Sequence, residues 1–141
     1  MATDRGEAIK LLDHNIAANT TEEHRIKRVE LSWGEDQESQ PDIAQHRPID
    51  LIAVSECIYN LQYAPHLLKT LTRLCDATTR VLFSFTIRNP EEEQSFFDHK
   101  VSQHFDIRHV RVSLFSCDPQ SGKTDSDVGN RSITTTAASR T

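Results

Sequence analysis

At 141 residues, 36% of them hydrophobic and 26% charged, with a mean hydropathy of −0.56, the chain is a polar sequence long enough for one domain with its own core. A formal charge of −5 leaves no basic footprint for nucleic acid or an acidic membrane surface, and no apolar run approaches the ~18 residues that span a bilayer. Three widely spaced cysteines (Cys57, Cys75, Cys117) and an N-terminus without an apolar signal core point to reduced thiols and a cytoplasmic address.

The first element in chain order is a helix. Asp4 or Thr3 can cap it, Glu7 completes a capping box, and Ala8, Ile9, Leu12 and Ile16 repeat at helical spacing, with nothing structured before it. Partial alternation of Ile26, Val29 and Leu31 predicts a strand over 25–32, ending at Trp33-Gly34. Residues 35–48 are acidic, rich in glutamine and interrupted by two prolines, which predicts a loop, with or without a helical turn.

The central stretch is Asp50-Leu51-Ile52-Ala53-Val54-Ser55-Glu56-Cys57-Ile58-Tyr59. Its short apolar run reads as a strand buried on both faces, as in parallel sheets. Ligands of open α/β sheets bind beyond the carboxyl ends of such strands, which is where Glu56 and Tyr59 fall. A helix follows over 63–75, with Tyr63, Leu67, Leu68, Leu71 and Leu74 on one face and Pro65 in the first turn.

Residues 80–86 form a third strand around Val81, Leu82, Phe83 and Phe85. Asn89 as N-cap, Pro90 at the first position and Glu91, Glu92 and Glu93 behind it start another helix, with Phe96, Phe97 and Val101 on its buried side. Alternation of Val110, Val112 and Leu114 predicts a half-buried strand over 106–115. The remainder, 116–141, is polar and reads as a disordered tail, with a minor strand propensity at Ile133-Thr134-Thr135-Thr136. The alternation of helices and strands argues for an α/β fold with a mainly parallel sheet.

Several chemistries fail on spacing. Gly122-Lys123-Thr124 lacks the earlier glycine of a phosphate-binding loop, since that position is Cys117. His99, His104 and His109 do not share a face, and the cysteines form no C-x-x-C pair, so no metal site is expected. Cys57 lies at a strand end but has no evident electropositive setting to make it a nucleophile. Glu56 and Tyr59 can orient a cationic group or simply pack. Trp33 can stack on a planar heterocycle or cover a sheet edge, and Asp4 can accept from a ribose diol or cap its helix.

In this order the residues resemble a known family. Thr3-Asp4 before a helix ending Asn15-Ile16-Ala17-Ala18-Asn19, then Leu31-Ser32-Trp33-Gly34, is similar to the seven-β-strand S-adenosylmethionine-dependent protein lysine methyltransferases. Asp50-Leu51-Ile52 with Ser55-Glu56-Cys57-Ile58-Tyr59 resembles their strand-four motif, usually Asp-x-x-Tyr. Phe85-Thr86-Ile87-Arg88-Asn89-Pro90-Glu91 is similar to the segment after strand five in the elongation factor 2 lysine methyltransferase branch.

The resemblance implies that Asp4 holds the cofactor ribose, Trp33 lies beside the adenine and Ser55 lies against the cofactor. Glu56 and Tyr59 would flank the methyl donor and the incoming lysine of a protein substrate, a translation elongation factor by analogy. It further implies a partial Rossmann-like methyltransferase fold over 1–115 that lacks the family's first two strands and glycine-rich loop. Two departures stand out: Glu56 replaces the usual aspartate, and none of the four glycines forms a G-x-G. The expected function is protein-lysine N-methylation, weak or absent in these residues alone. The alternatives are a non-catalytic pseudo-methyltransferase interaction module and a small-molecule methyltransferase of the same topology.

Overall fold

The computed structural model describes residues 1–21, 26–35, 43, 45–110 and 131–137. The chain divides into two compact units, Met1–Arg47 and Pro48–Thr141.

In the first unit, β1 (Ala2–Asp4) leads into α1 (Ala8–Asn19), and β2 (Arg28–Glu30) pairs with β1 in parallel, placing Asp4 opposite Glu30. The capping expectation for Asp4 is corrected here. Asp4 ends a strand, the N-cap is Glu7 without a side-chain cap bond, and a structured element does precede the helix. Asp4-Arg5-Gly6-Glu7 has the composition of a helix start, but the ladder to β2 claims the backbone of Asp4, whose carbonyl accepts from Leu31 N–H at 2.9 Å. Gly6 takes φ +47°, a left-handed value that suits glycine, in the turn from strand to helix. Ile9 on α1 and Val29 on β2 are buried.

The second unit holds β3 (Leu51–Ser55), α2 (Ala64–Leu74), β4 (Arg80–Thr86), α3 (Pro90–His99), a 3-10 turn (Val101–Gln103), β5 (Asp106–Val110) and β6 (Arg131–Ala137). Its sheet runs β3-β4-β6-β5, with β3 and β4 parallel and β6 antiparallel to both of its neighbours. The chain is therefore α/β, and this sheet is mixed rather than mainly parallel. Residues 131–137, expected within the polar tail, form an interior strand. Ladder bonds to two neighbours hold this threonine-rich segment in the sheet. Residues 111–130 and 138–141 lie outside the described part.

Helix α2 follows its sequence pattern except at Tyr63, which stands before the first turn and is 45% exposed: Ala64, Leu67, Leu68, Leu71 and Leu74 are buried, and proline occupies the first turn. On β4 Val81, Phe83 and Phe85 are buried on one face, and Phe97 of α3 stacks on Phe85 at 5.5 Å and meets Phe83 edge-on at 5.4 Å. The expectation that β3 is buried on both faces is corrected: Val54 is buried and Ile52 half-buried, while Leu51 is 57% exposed and Ala53 and Ser55 are exposed. Four consecutive apolar residues show that a strand is apolar but not how many of its faces are covered.

The turn into β4 is tied down by Asp76, whose Oδ1 accepts from the N–H and hydroxyl of Thr78, both at 2.8 Å, and of Thr79, at 3.1 and 3.2 Å. The Thr78 hydroxyl above all, then its N–H, hold the Asp76 carboxyl below its ordinary 3.8, against a smaller desolvation effect. A lowered folded value stabilises above the unfolded pKa and is lost as pH falls through it. The stability difference between the native chain and Asp76→Asn in urea unfolding is thus expected to be full above about pH 5 and to shrink as pH drops below about 4. A difference that grows on acidification refutes this.

Candidate functional site

β3 and β4 run parallel, so their carboxyl ends open on the same side of the sheet. Ser55 ends β3, and Glu56 extends the ladder by one bond, its N–H donating to Ser84 O at 2.7 Å. Glu56 then takes φ +52°, the one left-handed non-glycine residue among those described. For a residue with Cβ this costs about 1–2 kcal/mol. Glu56 is exposed, so burying apolar surface is not what holds it there.

The left-handed step turns the carboxylate toward the end of β4. Glu56 Oε1 accepts from the Thr86 hydroxyl at 3.1 Å, and Oε2 lies 3.7 Å from Arg88 Nη2. Beyond it, Cys57 Sγ donates to Ser55 O at 3.3 Å, Ile58 is buried and Tyr59 is 61% exposed. The sequence motif thus becomes a carboxylate fixed from one strand by its neighbour, with a solvent-facing phenol three residues on. Such an arrangement can receive a cationic side chain.

Arg88 has its own support. The N–H groups of Arg88 and Asn89 donate to Glu93 Oε1 at 3.0 and 3.1 Å. Asn89, expected to cap α3, makes no side-chain cap bond; Glu93 instead reaches back and satisfies the amides ahead of the helix.

In the first unit, Asp4 and Glu30 end neighbouring parallel strands, and each carboxylate accepts one backbone amide: Asp4 Oδ1 from Arg5 at 2.8 Å, Glu30 Oε1 from Gly6 at 3.0 Å. Trp33 is half-buried in the turn after β2, which closes on Gly34 at φ +83°. Two exposed carboxylates and an indole at one end of a sheet match the chemistry of a ribose diol and a planar base. An open cavity of about 510 Å³ in this unit, lined by Asp13, Ile16, Arg28 and His46 among others, contains none of the candidates, and its Asp13–Arg28 pair is closed at 2.9 Å.

Sequence reasoning singled out Glu56, Tyr59, Ser55, Asp4 and Trp33 but missed Glu30, Thr86, Arg88 and Glu93. Thr86 and Arg88 were open to detection, because parallel neighbours place residues after one strand beside residues after the next. Among the described residues no His, Cys, Asp or Glu cluster could hold a metal ion, and no helix is long and apolar enough to cross a membrane.

The family described as lysine methyltransferase matches residues 1–103. Over 103 residues the chain is 28% identical to EEF1A lysine methyltransferase 3 of Xenopus tropicalis, covering 73% of this chain and 44% of the relative. It is 31% identical over 110 residues to protein N-lysine methyltransferase METTL21A of Danio rerio, covering 77% and 48%. It is 27% identical over 112 residues to protein-lysine N-methyltransferase EFM6 of Saccharomyces cerevisiae, covering 77% and 45%. The chain spans about half the length of the curated relatives it matches.

Proposed function

The chain belongs to the lysine methyltransferase family, and from that premise we propose that it serves S-adenosylmethionine-dependent N-methylation of lysine in a protein substrate. The observation that carries this reading is the left-handed Glu56, aimed by Thr86 and Arg88 at the mouth of two parallel strands. Relatives named for EEF1A support a translation elongation factor as the substrate class.

Asp4 and Trp33 are assigned to the adenosyl portion of the cofactor, with Glu30 as a second carboxylate, and Ser55 to the cofactor side of the β3 end. When bound, the cofactor supplies an electrophilic methyl group on a sulfonium. A lysine amine can form the new N–C bond only when neutral and in line. Glu56 receives the ammonium and lowers the cost of aligning it, and Tyr59 borders the same approach. Loss of the ammonium proton to solvent then frees the lone pair. The residues at hand thus do positioning rather than covalent catalysis.

A finer reading concerns these 141 residues by themselves. A sequence with no G-x-G leaves the amino-acid end of the cofactor without its amide cradle, and binding is weak. The same observation favours a second reading, a non-catalytic module that keeps the substrate-facing surface. Titration calorimetry with S-adenosylhomocysteine is expected to give a Kd well above micromolar, and micromolar affinity would overturn the weak-binding reading. Incubation with saturating labelled S-adenosylmethionine and cell lysate tests the reaction. Label in a protein band supports it, label confined to small molecules refutes it, and no label supports the non-catalytic module.

A further inference from the structure

Glu93 is the buried ionisable group that the proposed reaction leaves without a task. It is 4% exposed, its Oε1 serves the Arg88 and Asn89 amides, and its Oε2 is buried with no hydrogen-bond partner among the described residues. A half-satisfied buried carboxylate is costly, and a helix start can be capped more cheaply by a residue such as Asn89. Asn89 forms no such bond. Capping alone therefore does not account for Glu93.

What Glu93 fixes is the backbone of the residue that reaches Glu56. From Glu93 the contacts run to the Arg88 amide, from the Arg88 guanidinium to Glu56 Oε2, and from Thr86 on the preceding strand to Glu56 Oε1. Arg88 and Glu56 are each about half exposed, so their ion pair alone is too weak and screened to hold one geometry. Anchoring the backbone beneath Arg88 restricts where its guanidinium can go.

We propose that Glu93 is a positioning residue for the methyl-transfer site. Acting through Arg88, and together with Thr86, it fixes the Glu56 carboxylate where a substrate ammonium must be received. This deepens, and for its catalytic meaning rests on, the assignment of Glu56 to the lysine side of the reaction. Neither Glu93 nor Arg88 takes part in bond making.

The test reads geometry without requiring turnover. In the full chain, the carboxyl-carbon NMR signal of Glu56 and amide exchange at Arg88 and Asn89 are followed in Glu93→Ala, Glu93→Gln, Thr86→Val and Arg88→Gln, with Glu92→Ala as an exposed control on the same helix. Glu93→Ala is expected to speed exchange of both amides about tenfold and to shift the Glu56 signal in the direction seen in Arg88→Gln. Glu93→Gln keeps an acceptor oxygen and is expected to leave both near native, as is Glu92→Ala.

An unmoved Glu56 signal in folded Glu93→Ala overturns the proposal, and so does a Glu93→Gln variant as displaced as the alanine. Where Glu93→Ala fails to fold, the exposed-end variants decide: native Glu56 signals in both Arg88→Gln and Thr86→Val refute the clamp, and shifts in both support it. Because no readout depends on methyl transfer, failure of the clamp and failure of the proposed reaction are separate results.

Discussion

At saturating S-adenosylmethionine, replacing Glu56 by glutamine is expected to lower the rate of lysine methylation by about 10²-fold or more while barely changing stability. Glutamine is nearly isosteric and can still accept from the Thr86 hydroxyl, so what it removes is the charge that the proposed reaction uses to receive the ammonium. Glu56→Gly separates function from fold more sharply. Glycine relieves about 1–2 kcal/mol of left-handed strain, against roughly 0.5–1 kcal/mol of added chain entropy. The exposed contact to Arg88 is worth about 0–1 kcal/mol. These effects nearly cancel, and unfolding free energy should stay within ~1 kcal/mol of native while methyl transfer collapses. Thermal unfolding and labelled-methyl incorporation on the same variants check this. A Glu56→Gln chain with undiminished transfer, or a Glu56→Gly chain several kcal/mol less stable, would make Glu56 a structural residue.

How far the sequence foretells this depends on which physical effect each segment obeys. β4 and α2 were legible because their apolar residues repeat at the strand and helix periods, and Arg80–Thr86 appears with the expected bounds. Pro90 and the glutamates likewise located the start of α3. Asp4 misled because a short polar run before a helix has the same composition whether it caps that helix or ends a strand; the pairing to β2, more than twenty residues away, decides. β6 was hidden for a related reason. Arg131–Ala137 carries little apolar signal, and its place between β4 and β5 comes from backbone pairing.

The candidate site shows the same divide. Glu56 and Tyr59 stand out at the end of an apolar run, whereas the groups that aim Glu56 come from 30 or more residues later in the chain. In the sequence Glu93 is one of three interchangeable first-turn acids; burial and its bonds to the Arg88 and Asn89 amides set it apart from Glu91 and Glu92.

Phe97→Ala is expected to be among the most damaging single truncations in the described part of the second unit, costing about 3–5 kcal/mol. Phe97 is 3% exposed and touches three other rings: Phe83 at 5.4 Å, Phe85 at 5.5 Å and Phe96 at 5.6 Å. Its loss opens a cavity between α3 and β4 and removes two aromatic pairs that join helix to sheet, each worth about 0.5–1.5 kcal/mol beyond burial. Against a total of about 5–15 kcal/mol for a domain, that is a large fraction. Phe96→Ala is the comparison: half-buried, its one ring contact among the described residues is to Phe97 itself, and about a third of the effect is expected. Urea unfolding with an unchanged slope measures both, and a Phe96→Ala chain as unstable as Phe97→Ala would rule out this account of the core. The consequence reaches the site as well. Phe97 follows Glu93 by one helical turn on the same buried face of α3, so the ring that seats the helix on β4 also seats the carboxylate beneath Arg88. A partly unfolded Phe97→Ala chain should therefore lose protection at the Arg88 and Asn89 amides before it loses β4, since those amides depend on one side chain of α3 and β4 is laddered on both sides.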